Sequence, residues 1–124
     1  MDAGFVVAVA LALAFALTNG IHDASNAIAA LVATRGARPG QAVLLAAGCN
    51  LLGPLVVGAA VADTIGGIVA VDGTDAIAVI GAGLLGAVAW NVATWALGLP
   101  SSSGHALVGG LVGAALAADG TDAV

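Results

Sequence analysis

The sequence predicts an all-α polytopic membrane protein with about four to five transmembrane or re-entrant helical segments. Hydrophobic residues make up 61% of its 124 positions and charged residues only 7%. A soluble domain carries roughly 25% charged residues, so this chain cannot cover a water-facing surface. One crossing of a bilayer needs roughly 20 apolar residues, which sets the number of segments. We treat residues 1–124 as a single membrane domain.

The first segment is an apolar run from Gly4 to Ala33 that contains a polar stretch at residues 18–26. Met1-Asp2 supplies no positive charge ahead of the run, so we expect a retained span and not a signal peptide. Gly20 lies within the polar stretch and predicts a break in the helix. Residues 34–40 then form a short loop with the glycine and proline chemistry of a turn.

Three further segments follow the loop. Ala42–Ala62 has the length of one crossing, and Ala76–Leu99 is long enough to span with some tilt. Residues 100–118 are predicted to be hairpin-like, because they are short for a full crossing and a re-entrant hairpin is the alternative. Gly109 and Gly113 form a G-x-x-x-G pair that predicts tight helix packing.

Charge places the chain in a membrane and argues against a nucleic-acid partner. The net charge is -5, and the only basic residues, Arg35 and Arg38, share one loop. The positive-inside rule predicts a cytoplasmic position for that loop and an outside N-terminus, in a multi-pass protein of the plasma membrane. Cys49 is the lone cysteine, so we expect neither a disulfide framework nor a cysteine metal site. We expect the lipid bilayer as the surroundings and no nucleic acid.

The first polar cluster combines a carboxylate with amides at bilayer depth. Asn19, Asp23 and Asn26 are spaced i, i+4 and i+7, so they share one helix face, with His22 at its edge. Ionisable groups at that depth are functional by default, and broken helices build the sites of many secondary transporters. We predict that Asn19, His22 and Asp23 couple H⁺ or Na⁺, with Asp23 as the Na⁺ ligand. The alternative is polar contact between neighbouring helices.

The second polar cluster runs from Pro100 to His105. Proline favours a helix start, and the free N–H groups of a helix N-terminus attract an anion that serine hydroxyls also bind. Simple capping is the alternative. No Lys or Arg lies near either cluster in the sequence, and the carboxylate of Asp23 repels an anion unless a cation or proton lies between them. This electrostatic conflict favours symport of a cation with an anion.

Both clusters resemble the paired signatures of the inorganic phosphate transporter (PiT) family, in its bacterial low-affinity branch. Residues 19–27 read Asn-Gly-Ile-His-Asp-Ala-Ser-Asn-Ala. Residues 90–105 contain Trp-Asn, then Gly-Leu-Pro-Ser-Ser-Ser-Gly-His. The resemblance extends over nearly the whole chain and includes Thr34-Arg35 and Asn50.

The resemblance implies inorganic phosphate transport by cation symport, with no enzymatic activity and no cofactor besides the coupling ion. It assigns Asp23 to the cation site and Asn26 to the phosphate. Hydroxyls at a hairpin tip are expected to bind the phosphate, near the shared motif residue His105; these are Ser101, Ser102 and Ser103. Gly104 departs from the family pattern, which has a further hydroxyl residue there.

The family has two inverted repeats, each with both signatures, and this chain resembles the N-terminal repeat only. We therefore expect a second transporter half, or another copy of the chain, as partner. The alternatives are a non-transporting partner subunit, a truncated remnant, or a carrier of a related oxyanion such as sulfate. A membrane-embedded hydrolase using Ser102 or Ser103 with His105 and Asp23 is disfavoured, because the sequence has no G-x-S-x-G elbow.

Overall fold

The computed structural model describes residues 2–57, 63, 64, 67 and 74–119. These residues form helices α1 (Ala3–Ala33), α2 (Pro39–Val57), α3 (Thr74–Ala96) and α4 (Ser103–Asp119). By length and composition, α1, α2 and α3 are long and apolar enough to cross a membrane, whereas α4 is a shorter apolar helix. The predicted all-α membrane fold is confirmed.

Helix α1 is continuous through the polar cluster. It runs for 31 residues without interruption, so the predicted break at Gly20 is wrong. A glycine inside a helix costs only about 1 kcal/mol relative to alanine. Breaking the helix in lipid would expose backbone groups that each cost several kcal/mol when unsatisfied. The polar side chains therefore project from an intact helix, and no backbone carbonyls are freed at Gly20.

The C-terminus of α1 closes with a Schellman motif. The N–H of Gly36 donates to the carbonyl of Leu31 (3.0 Å), and the N–H of Arg35 donates to the carbonyl of Val32 (3.1 Å). Arg35 takes the left-handed position, with φ of 57°. These bonds satisfy helix-end carbonyls and reverse the chain direction towards α2.

Helix α2 begins at Pro39, three residues before the predicted start at Ala42. Proline suits the first position of a helix because its missing N–H would have no partner there. The side chain of Gln41 reaches back, and its Oε1 accepts the N–H of Arg38 (3.2 Å). The predicted end at Ala62 lies outside the described residues.

Helix α3 packs between α1 and α4, and α2 lies against α1. Gly4 lies beside Ile77, and Thr18 contacts Asn91 further along both helices, so α1 and α3 run parallel. Helix α4 returns antiparallel along α3, so these two helices form a hairpin. The apolar residues that are most buried among those described are Ala42, Val79, Leu84, Ala87, Leu111 and Ala115.

The interface between α3 and α4 depends on two glycines at a close backbone approach. A β-carbon on Gly83 would lie 2.9 Å from Leu111 Cα, and one on Gly110 would run into the Gly83 carbonyl. By contrast, β-carbons on Gly109 and Gly113 would meet no atom of the described chain within 4 Å. The predicted packing pair is therefore wrong among the described residues. Since successive helix positions lie 100° apart, Gly110 faces α3 and Gly109 does not.

We predict that Gly110→Ala destabilises the protein relative to the matched variant Gly109→Ala. Both variants gain the same helix propensity, so their difference isolates the contact with Gly83. We expect Gly110→Ala to be the less stable by about 1–3 kcal/mol, the usual cost of overpacking. Unfolding of the purified protein in detergent measures this, and equal stability of the two variants would contradict the close approach.

Candidate functional site

The C-terminus of α3 produces the turn that carries the serines. The N–H of Gly98 donates to the carbonyl of Trp95 (3.1 Å), and the N–H of Leu99 donates to the carbonyl of Thr94 (2.8 Å). Gly98 has φ of 66°, a conformation that suits glycine. The helix therefore ends at Ala96, not at the predicted Leu99. The chain turns back at this point and brings the following serines alongside α3.

Ser102 caps α4. Its Oγ accepts the N–H of His105 (3.3 Å), and the ring Nδ1 of His105 lies 2.8 Å from the same oxygen. This is the geometry of an N-cap residue bonding the third residue of its helix. Helix α4 accordingly begins at Ser103. The side chain of Ser103 is buried, and its hydroxyl has no hydrogen-bond partner within the described part of the chain.

A second set of polar contacts joins α1 to α3. The Oγ1 of Thr94 lies 3.5 Å from Nε2 of His22 and 2.8 Å from the carbonyl of Trp90, which accepts the hydroxyl hydrogen. A hydroxyl that donates to this carbonyl leaves its oxygen to accept a hydrogen from the His22 ring. Asn91 is fully buried, and its Nδ2 donates to Thr18 Oγ1 (3.4 Å).

These contacts fix the depth of the turn relative to α1. Thr94 lies beside His22, so the turn that follows Ala96 lies at the level of the first polar cluster. Helix α1 continues beyond His22 through residues 23–33, a rise of about 16 Å. The serine turn is therefore recessed by roughly 10–15 Å from the loop that contains Arg35.

The two sequence clusters meet at one open cleft, which we call the α1–turn cleft. Among the residues assigned a role from the sequence, His22, Asn26 and Ser101 line it. Ser25 and Thr94 line it too, although sequence reasoning gave them no role. The remaining lining residues are apolar residues or glycine: Ile21, Trp95, Gly98, Leu99 and Pro100. Ser25 was detectable, because it lies three residues from His22 on a helix.

The other residues assigned a role lie around this cleft. Ser102 and His105 line an adjacent groove beside Trp90, and Ser101 borders both spaces. Asn19 is half-buried and Asp23 is exposed, and neither lines the α1–turn cleft. Ser103 lines neither space.

In the described ranges, no group of three or more His, Cys, Asp or Glu side chains is placed to hold a metal ion. The assignment of Asp23 to Na⁺ stays a prediction.

Apolar helices of membrane-spanning length around a recessed polar cleft define an integral membrane protein with an internal polar site. The model of the phosphate transporter family matches residues 19–124, and the chain belongs to that family. The family is one of transporters, so the hydrolase alternative is excluded.

Similar proteins bear consistent names. The chain is 48% identical to a probable low-affinity inorganic phosphate transporter of Rhizobium meliloti, over 94% of this chain and 35% of that protein. A protein of the same name from Streptomyces halstedii is 48% identical, over 94% of this chain and 55% of its own length. Identity to the low-affinity inorganic phosphate transporter PitB of Escherichia coli is 41%, over 86% of this chain and 23% of PitB.

The chain thus spans about a third of the Rhizobium protein and about half of the Streptomyces protein. No solved structure matches it.

We predict that Ser102→Ala lowers stability by about 1 kcal/mol, because α4 loses its N-cap. Ser102→Asp is the matched variant, since a carboxylate caps equally well and favours the positive end of the helix dipole. Thermal unfolding of both variants in detergent tests this. An alanine variant as stable as the parent, or an aspartate variant as unstable as the alanine variant, would refute the capping role.

Proposed function

We propose that the chain contributes one half of the site of an inorganic phosphate transporter driven by symport of H⁺ or Na⁺. One observation carries this proposal: polar residues of both signature motifs line the same recessed cleft. The family membership and the names of the relatives support phosphate as the substrate. The apolar lipid-facing helices support a membrane location, which we propose is the plasma membrane.

Hydroxyl and amide groups bind the phosphate in this proposal. Ser101, Asn26 and Ser25 all line the α1–turn cleft. These groups donate hydrogen bonds without a fixed positive charge. Arg35, the nearer of the two arginines to Asn26 along the chain, lies nine residues beyond it, or about 13 Å along a helix. A carrier must release its cargo, and neutral donors hold an anion less tightly than a buried arginine does.

The coupling cation lies near His22 and Asp23 in this proposal. Asp23 and Asn19 supply oxygen ligands for Na⁺, or Asp23 takes a proton. The His22 ring, 3.5 Å from Thr94 on the cleft, offers a second proton acceptor in this proposal. The cation offsets the repulsion between Asp23 and phosphate, so each ion strengthens binding of the other. That mutual dependence is the physical basis of symport.

A second half completes the site. The α1–turn cleft is open, and the relatives that match the chain are longer than it. A site near the bilayer midplane needs polar groups from both repeats. The partner is a second transporter half or another copy of this chain in inverted orientation. The loop with Arg35 and Arg38 faces the cytoplasm, and the N-terminus lies outside.

Ser101→Ala is expected to weaken phosphate binding more than Ser103→Ala does. Each lost hydrogen bond to a charged ligand costs on the order of 1.5–3 kcal/mol. Ser103 has a buried hydroxyl that lines neither space, so it is the matched control. The assay is radiolabelled phosphate uptake at graded phosphate concentrations, in cells that lack other phosphate carriers. Equal effects of the two variants would show that the α1–turn cleft is not the phosphate site.

Asp23→Asn is expected to abolish coupled uptake while the protein still inserts into the membrane. The amide keeps the size of the side chain but removes the charge that binds Na⁺ or H⁺. Asp2→Asn, at the exposed start of α1, is the control with the same chemical change. Uptake is measured across a range of Na⁺ concentrations and pH values. Unchanged uptake with unchanged cation dependence would remove Asp23 from the coupling site.

Crosslinking tests whether a second transporter half, or another copy of the chain, lies against the α1–turn cleft. After Cys49→Ala, we place a single cysteine at Ala27 or at Leu99, close to the α1–turn cleft, and treat native membranes with a bifunctional thiol reagent. We expect an adduct larger than the chain. A cysteine at Gly40, in the first turn of α2 just after the loop with Arg35 and Arg38, is the control and should give less adduct. A chain that carries phosphate while never forming such an adduct would contradict the need for a partner.

A further inference from the structure

Trp90 lies where it can control the serine of the α1–turn cleft. Its indole Nε1–H donates a hydrogen bond to Ser101 Oγ at 2.9 Å, linking α3 to the turn across eleven positions of sequence. The bond forms although the Trp90 side chain is 58% exposed. An indole N–H is only a donor, so the direction of this bond is certain. Ser101 Oγ must be the acceptor.

This direction has a consequence for the serine hydroxyl. A hydroxyl has one hydrogen to donate and two lone pairs that accept. Trp90 occupies one lone pair, and the hydroxyl hydrogen cannot point towards the indole N–H. Ser101 borders the α1–turn cleft, which His22 and Asn26 also line. The indole therefore biases the Ser101 hydroxyl to donate away from Trp90, towards the cleft.

The neighbouring serine has no such arrangement. Ser102 Oγ accepts the backbone N–H of His105 and also lies 2.8 Å from the His105 ring. When Nδ1 of His105 is unprotonated, it takes the Ser102 hydrogen, and that hydroxyl has none left for an anion. Ser103 is buried. Of the three consecutive serines, Ser101 alone has both a partner that fixes its acceptor side and a place on the α1–turn cleft.

We infer that Trp90 is a positioning residue for phosphate: its indole N–H orients the Ser101 hydroxyl as a donor into the α1–turn cleft. This inference rests on the proposed function, since it requires phosphate to bind at Ser101. Trp90 does not touch the phosphate. It acts through Ser101, so its contribution disappears when the Ser101 hydroxyl is absent.

The test removes the indole N–H and nothing else. Trp90 is replaced by β-(3-benzothienyl)alanine, which has the shape of tryptophan with sulfur in place of the N–H group. Uptake of radiolabelled inorganic phosphate then gives KM and Vmax. We expect KM to rise about three- to tenfold, the effect of one neutral hydrogen bond, with Vmax and membrane abundance close to the parent. Trp90→Phe is a second variant that also removes the ring bulk.

A double-mutant cycle separates positioning from a structural role. In the Ser101→Ala background, the same replacement at Trp90 should leave KM unchanged, because the two residues act as one unit. The inference would be overturned if the benzothienyl replacement of Trp90 left KM equal to that of the parent. It would also be overturned if this replacement raised KM equally with and without the Ser101 hydroxyl. Either result leaves the proposed function intact if the parent carries phosphate. A parent chain that carries no phosphate in its native membrane overturns both proposals together.

Discussion

The position of the serine turn depends on how α3 ends. Gly98 adopts φ of 66°, and the N–H groups of Gly98 and Leu99 bond back to the last turn of the helix. In lipid, helix-end carbonyls without partners would cost several kcal/mol each, so this closure allows a helix to stop at depth. Without it α3 would continue past Ala96. The serines would then lie further along the helix axis and away from His22.

Two polar contacts, of 3.5 and 3.4 Å, set the height of α3 against α1 and so place the turn beside the polar residues of α1. Thr94 meets His22, and Asn91 meets Thr18, so α3 is held against α1 at a fixed height. Polar side chains in a bilayer interior form hydrogen bonds between neighbouring helices, and pairs such as these specify how two apolar helices align. On the other side, Gly83 and Gly110 bring α4 close to α3. Together these contacts bring the polar residues of α1 opposite the turn that starts α4.

Much of this arrangement was readable in the sequence, because hydrophobic runs of about 20 residues and isolated polar clusters are strong signals in membrane proteins. The helix ends were less readable. Gly98-Leu99-Pro100 is a typical helix-terminating sequence, and Pro39 is a typical first residue of a helix. The apolar pattern alone nevertheless predicted that α3 ends at Leu99 and that α2 begins at Ala42. Gly20 suggested a break, but the penalty for one glycine is smaller than the cost of exposing backbone groups.

The pairing of residues across helices was beyond the sequence. Asn19, Asp23 and Asn26 share a helical period, but which part of that face meets the turn depends on the rotation of α1 against α3. Tertiary packing made His22, Ser25 and Asn26 the polar residues of α1 that line the α1–turn cleft. Gly110 and not Gly109 faces α3 for the same reason.

The most direct test of the account is a distance measurement between the two motifs. Cysteines replace Ile21 and Leu99, two apolar residues of the α1–turn cleft that are not proposed phosphate ligands, in a Cys49→Ala chain. A short bifunctional thiol reagent is then added with and without inorganic phosphate. We predict a crosslink within one chain that phosphate slows, whereas a pair at Ile21 and Gly113 should not crosslink. Failure of the first pair to crosslink, or a rate that phosphate does not change, would contradict a shared phosphate site.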